Sequence, residues 1–219
     1  IDKANLRARL RIPATCPTGS HRLRVRTKEG LSELRTFRVG FGGQLAEQEP
    51  NNDLATAQAV AIPCTVTGVI TREDADCFKV SLPAGGGFAV AVAAIRLDQE
   101  MFDPLLEVVD AQGEVLATSD DHPLLGQDAM LAVTVEEAGD YVVRLRESTF
   151  GGNDGCVYLL HIGDFPVAHL AWPPAGPPGG RLAVSWIGDP AGPFTQSITL
   201  PASAPPAGLV EIHPVREGV

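Results

Sequence analysis

A chain of 219 residues with a formal charge of −10 is long enough for one or two hydrophobic cores, and its acidic balance speaks against a nucleic-acid partner, which would need a basic surface. The longest apolar run, FAVAVAAI at residues 88–95, falls well short of the roughly 18 residues that suggest a membrane-spanning helix. Charge is unevenly divided: residues 1–41 hold ten Lys/Arg against three acids, whereas residues 42–164 hold five against twenty-one. The chain opens on Ile1 with no basic-then-apolar leader, as expected of a piece of a longer or processed polypeptide.

In chain order, NLRARLRI, HRLRVRT and LRTFRV come first. They read as three strands, with Arg22, Arg24 and Arg26 alternating with Leu23 and Val25 as on the wet face of a sheet. A Gly-rich, then acidic joint follows at residues 40–50, and NDLATAQAV offers a turn or two of helix capped by Asn52 or Asp53. Strand-like runs then dominate: CTVTGVI, CFKVSL, FAVAVAAI, PLLEVVD, EVLATS, MLAVTV, YVVRLRE and VYLLHI. Phe78 and Val80 share one face, as do Tyr141, Val143 and Leu145, in the period of two that buries one side of a sandwich. Asp110 and Gly113 bracket a tight turn, Gly139 marks another, and PAGGGF at residues 83–88 is a turn between strands rather than a phosphate cradle. A Pro/Gly-rich joint at residues 163–180 precedes RLAVSWI and QSITL.

Short alternating runs separated by Gly, Pro and Asp define an all-β fold, a sandwich or barrel. The middle unit of about 120 residues is the size of a single sandwich. Residues 1–41 and 165–219 supply about three and four strands, too few to close one.

Cys16, Cys64, Cys77 and Cys156 contain no CxxC pair, so a zinc cluster or dithiol redox site has no support. They allow two disulfides in any of three pairings. If residues 64–70 and 77–82 form a hairpin, Cys64 and Cys77 lie at opposite ends of it and are the least suited to pair. No GxSxG, HExxH, Walker or GxGxxG motif is present, the five histidines are scattered, and no catalytic residue is assigned: the chain does not read as an enzyme. His161 alternates with Leu160 and Ile162 as a surface position. TSDDHPLLGQD, with Asp120, Asp121, His122 and Asp128, reads as a solvent loop, the other reading being a second cation cluster.

The stretch LAEQEPNNDLATAQAV concentrates Glu47, Glu49, Asn51, Asn52 and Asp53. A hard cation such as Ca²⁺ takes about six to eight oxygens from carboxylates, amide and backbone carbonyls and water, and Glu47, Glu49, Asn51 and Asn52 supply that mixture. A polar joint that caps a short helix uses the same residue types, so both readings stand.

EPNNDLATAQAV, VTGVITREDADCFKV, FDPLLEVVDAQGEVLATSDD, DAMLAVTVEEAGDYVVRLRE and YLLHI follow in order. Together, over residues 44–164, they resemble the bacterial pre-peptidase C-terminal domain, a jelly-roll-like β-sandwich found on secreted proteases and surface proteins and related to the collagen-binding domains of clostridial collagenases. RLRVRTKEGLSELRTFRVG before it and FPVAHLAWPPAGPPGGRLAVSWIG after it look like the end and the beginning of immunoglobulin-like domains of the IPT/TIG type, an order similar to that of large secreted planctomycete-type proteins. The resemblance implies a calcium site in which Glu73 or Asp74, together with Asp76, completes the shell begun by Glu47, Glu49, Asn51 and Asn52. Relatives that bind calcium carry Asp where this chain has Asn52, which removes a charge. The function implied is a non-catalytic extracellular or cell-surface module for adhesion, spacing or fibre assembly, without membrane insertion. Its partners would be other copies, neighbouring domains or an extracellular polymer. The alternative is an accessory or removable domain of a secreted hydrolase.

Overall fold

The computed structural model describes residues 8–16, 19–40, 42–203 and 212–216. The first predicted strand, NLRARLRI, falls partly outside these residues, and its described part is irregular. The described elements are strands β1 (Gly19–Leu23), β2 (Arg35–Val39), β3 (Gly43–Ala46), β4 (Gln58–Ala59), β5 (Cys64–Val69), β6 (Ala75–Leu82), β7 (Gly87–Ala93), β8 (Pro104–Val109), β9 (Val115–Ser119), β10 (Met130–Thr134), β11 (Gly139–Glu147), β12 (Val157–Gly163), β13 (Leu170–Trp172), β14 (Arg181–Ile187) and β15 (Phe194–Thr199). The fold is all-β: among the described residues the only helical element is a 3₁₀ turn at Ile95–Leu97.

Two five-stranded sheets form the central sandwich. Sheet I has the order β10-β7-β12-β5-β3 and sheet II the order β4-β6-β11-β8-β9. All pairs are antiparallel except the short edge strands β3 and β4, which run parallel to β5 and β6. The predicted inward faces close the core: Phe78, Val80, Tyr141, Val143 and Leu145 from sheet II meet Val66, Val90, Val92, Leu160 and Ile162 from sheet I, and this burial of apolar surface drives the collapse. Gly113, at φ +87°, lets the β8–β9 connection turn back while Asp110 accepts from the amides of Gln112 and Glu114, both at 2.9 Å.

Several expectations change in three dimensions. Residues 64–70 and 77–82 do not form a hairpin, because β5 and β6 belong to opposite sheets and the loop between them crosses the sandwich. Asp53 caps a single turn, its Oδ1 accepting from the amides of Ala55 and Thr56, and the chain then enters β4 instead of a helix. Gly139 is a strand residue paired with Leu82, not a turn. All four cysteines are free thiols, and Cys64, Cys77 and Cys156 are buried.

The flanks add a two-stranded ribbon, β1–β2, and a three-stranded meander, β13-β14-β15. The meander has its own small core of Ala168, Val184 and Trp186. The chain leaving the ribbon lies against sheet I, where a Cβ on Gly40 would stand 2.8 Å from Thr65 Oγ1 and 3.2 Å from the His161 ring. His161 is therefore buried, not a surface position, with its Nδ1 2.9 Å from Thr65 Oγ1. Periodicity shows that His161 faces away from the core, but not that a neighbouring segment covers it.

Candidate cation site

The acidic segment leaves β3 at the edge of sheet I and crosses to β4 at the edge of sheet II, so it passes the loop between β5 and β6. Two anchors hold it there. Glu47 turns back into sheet I, its Oε1 accepting from the Val69 amide at 2.8 Å and its Oε2 from the Tyr158 hydroxyl at 2.9 Å. The Asn51 carbonyl accepts from the Cys77 amide at 2.9 Å, joining the segment to β6.

Between these anchors Glu49, Asp74 and Asp76 each bring a carboxylate oxygen to within 4.8 Å of the others. Asn51 is completely buried among them. With its NH₂ turned toward the carboxylates, its amide donates to Asp76 Oδ1 and Glu49 Oε2, both at 3.0 Å. With the amide turned half a revolution, its oxygen faces the same two groups. The Asn51 backbone amide also donates to Glu49 Oε2 at 2.9 Å, which fixes the Glu49 side chain against the cluster.

Asp74 is set by the tight loop TRED: its Oδ2 accepts from the Thr71 amide and hydroxyl at 3.0 and 2.9 Å, and its Oδ1 from the Ala75 amide at 3.0 Å and from Asn52 Nδ2 at 2.8 Å. Asp76 differs. It has no solvent exposure, and its Oδ2 has no hydrogen-bond partner. Burial pushes its carboxyl up to about 8, with Glu47 and Asp74 adding to the rise and the nearby Tyr158 hydroxyl working against it. Burial likewise raises Glu47. An anionic oxygen without a partner in such a place is costly unless a proton or a cation shares it.

Of the residues singled out in the sequence, Glu49, Asn51, Asp74 and Asp76 converge. Glu47 stands behind them as an anchor, and Asn52 is exposed and turns its nitrogen to Asp74. Glu73 is exposed at φ +59°, its amide donating to the Phe150 carbonyl at 3.0 Å. Sequence reasoning missed three supporting residues. Tyr158 holds Glu47, Thr71 holds Asp74, and Gly68 leaves the space between them: a Cβ there would lie 2.0 Å from Glu47 Oε2 and 2.2 Å from the Tyr158 hydroxyl. The only signals were a glycine inside CTVTGVI and the single phenol of VYLLHI. The residues present fit a hard cation, since the donors are all oxygen, mix carboxylate with amide, and include one buried oxygen with no other partner.

The second acidic stretch is largely exposed, as a solvent loop is, but two of its residues are anchored inside. Asp128 is completely buried, accepting at 3.0 Å from the amides of both Ala94 and Ile95 and pairing with the Arg96 guanidinium. His122 is also buried, edge-on to His169 with ring centres 5.0 Å apart, and its Nε2 is without a partner. Asp120 and Asp121 remain exposed.

No protein-family model matches the chain, and no curated protein matches it. Among solved structures, the pre-peptidase C-terminal domain of a collagenase from Bacillus anthracis is similar at 14% identity and a TM-score of 0.38, covering 48% of this chain and 93% of that one. PliG from Aeromonas hydrophila, a periplasmic inhibitor of g-type lysozyme, is similar at 13% identity and a TM-score of 0.36, covering 55% and 95%. A β-glucosidase from Paenibacillus barengoltzii shows 14% identity and a TM-score of 0.23 over 56% of this chain and 13% of its own.

Proposed function

We propose that the chain is a non-catalytic extracellular β-sandwich module, used for spacing or adhesion at a cell surface, whose interstrand joint is clamped by Ca²⁺. The observation that carries the clamp is the unpartnered, fully buried Asp76 Oδ2 beside the carboxylates of Glu49 and Asp74. Glu49, Asn51, Asp74 and Asp76 would hold the ion, and Glu47, Asn52 and Thr71 would keep those ligands in place. Among the described residues Glu49, Asp74 and Asp76 make no ion pair; the ion would supply the positive charge and tie the segment between β3 and β4 to the β5–β6 loop. Extracellular calcium suits such a clamp, since weak modular sites have dissociation constants of about 10⁻⁴–10⁻³ M.

A ligand that binds only the folded state adds about 2.7 kcal/mol at a hundredfold excess over Kd. Thermal melting in EDTA and in millimolar calcium is expected to give a higher midpoint with calcium, together with a binding heat in calorimetry. Equal midpoints and no heat would refute the clamp.

A further inference from the structure

The described part of the basic N-terminal segment presents a surface that its own sandwich does not use. Arg22, Arg24, Arg26 and Lys28 are exposed and make no ion pair among the described residues. Apolar side chains stand among them: Leu23, between Arg22 and Arg24, and Leu31, bridged to Arg26, are 37% and 64% exposed. Within the chain the ribbon is engaged elsewhere, through Thr36 Oγ1 donating to Asp98 at 3.0 Å and through the chain at Gly40 against His161 on sheet I. A two-stranded ribbon is only marginally stable when left by itself in water.

A surface of the same kind and opposite sign lies at the far edge of sheet II. There β9 is the last strand, flanked by the exposed acids Glu114, Asp120 and Asp121. It exposes Val115 and Leu116 at 49% and 45%. Those three acids also make no ion pair among the described residues. The chain enters the sandwich at β3, whereas β9 ends the other sheet at the opposite margin, since β3 and β4 share one margin through Gln58 and β9 and β10 share the other through Ser119.

We infer that the ribbon of one copy docks on the β9 edge of the next, Arg22, Arg24, Arg26 and Lys28 facing Glu114, Asp120 and Asp121 while the apolar side chains between them are covered. The occupant is a second copy of this chain because both halves of the contact, complementary in charge and alike in apolar content, are present on one molecule and are not joined within it. Different patches meet, so the contact is head-to-tail and adds copies without needing to close. Its charged pairs set register and make it sensitive to salt. The inference does not rest on the cation site.

Sedimentation velocity and light scattering of the whole chain, from about 20 mM to about 500 mM salt, test it. The expected result is a mass that grows with concentration at low salt and returns to that of the monomer at high salt. R24E/R26E/K28E, whose changes lie outside β1, and E114K/D120K/D121K are each expected to stay monomeric, and circular dichroism checks that both are folded. Mixed in equal amounts they restore assembly, because the reversed ribbon of one variant meets the reversed edge of the other. A wild-type monomer at every salt concentration overturns the inference. So does assembly that survives in either folded variant, or a mixture that stays monomeric. Capture by a soluble polyanion or by anionic vesicles without self-association assigns the ribbon to that partner and overturns it as well.

Discussion

At the scale of single residues, the informative groups are polar side chains placed where water does not reach. Asp76 is the clearest. Because its buried carboxyl has an oxygen without a partner and must hold a proton when no ion is bound, Asp76→Asn removes a cost from the ion-free protein and a ligand from the ion-bound one. In EDTA the variant is expected to melt at or above the wild-type midpoint, and in millimolar calcium to gain less than the wild type by most of the calcium increment. Differential scanning calorimetry reads both arms. His122 and His161 are the second case. Burial, the largest cause for each, lowers both to about 4 from an ordinary 6.5. The unfolded imidazoles take up protons below about 6.5, whereas the folded ones do so only below about 4, so stability falls as pH drops through that window and levels off beneath it. The loss is on the order of 3 kcal/mol per histidine at most. Asp76, raised to about 8, pulls the other way over the same range in both proteins, so the expected result is a difference: between pH 7.5 and 4 the urea midpoint of His122→Leu rises relative to that of the wild type.

At the scale of elements, the candidate site depends on the close approach of two strands and a crossing segment. Gly68 in β5 is the position that permits it, since any side chain there collides with the Glu47 carboxylate and the Tyr158 hydroxyl. Gly68→Ala is expected to cost about 1–3 kcal/mol through overpacking, with a larger cost if the Glu47 hydrogen bonds break. It should also weaken the calcium response, although residue 68 is not itself a ligand. Tyr158→Phe removes one of the two bonds that hold Glu47 and is expected to cost about 1 kcal/mol. Comparing the two variants in the presence and absence of calcium separates the packing of the anchor from its hydrogen bonding.

At the scale of the whole molecule, the central sandwich holds the main core, while the meander β13-β14-β15 has a separate and much smaller one. A chain trimmed to residues 42–164 is expected to fold and to unfold in a single transition that keeps its calcium increment, because every residue of the candidate site lies within that range. The trimmed chain loses the cover of Gly40 over His161, so His161 is expected to titrate closer to its ordinary value, which nuclear magnetic resonance of the ring protons would show. Loss of cooperative unfolding on trimming would mean that the flanks complete the main core.

The all-β class, the inward faces of β6 and β11 and the Asp110–Gly113 turn are legible in the residue order, because they follow from a period of two and from local backbone chemistry. That order also pointed to the segment at residues 47–52, where carboxylates and amides crowd together, while the half at residues 73–76 came from the resemblance to the pre-peptidase C-terminal domain. Which of those residues converge follows from the three-dimensional fold, because Glu49 and Asp76 meet through the crossing of the segment between β3 and β4 over the β5–β6 loop, a relation between distant segments that no spacing encodes. The same holds for the misread histidines and for Asp128. Alternation tells which side of a strand a residue takes, but whether that side is wet depends on what else packs there, and at His161 the cover comes from residues more than a hundred positions away.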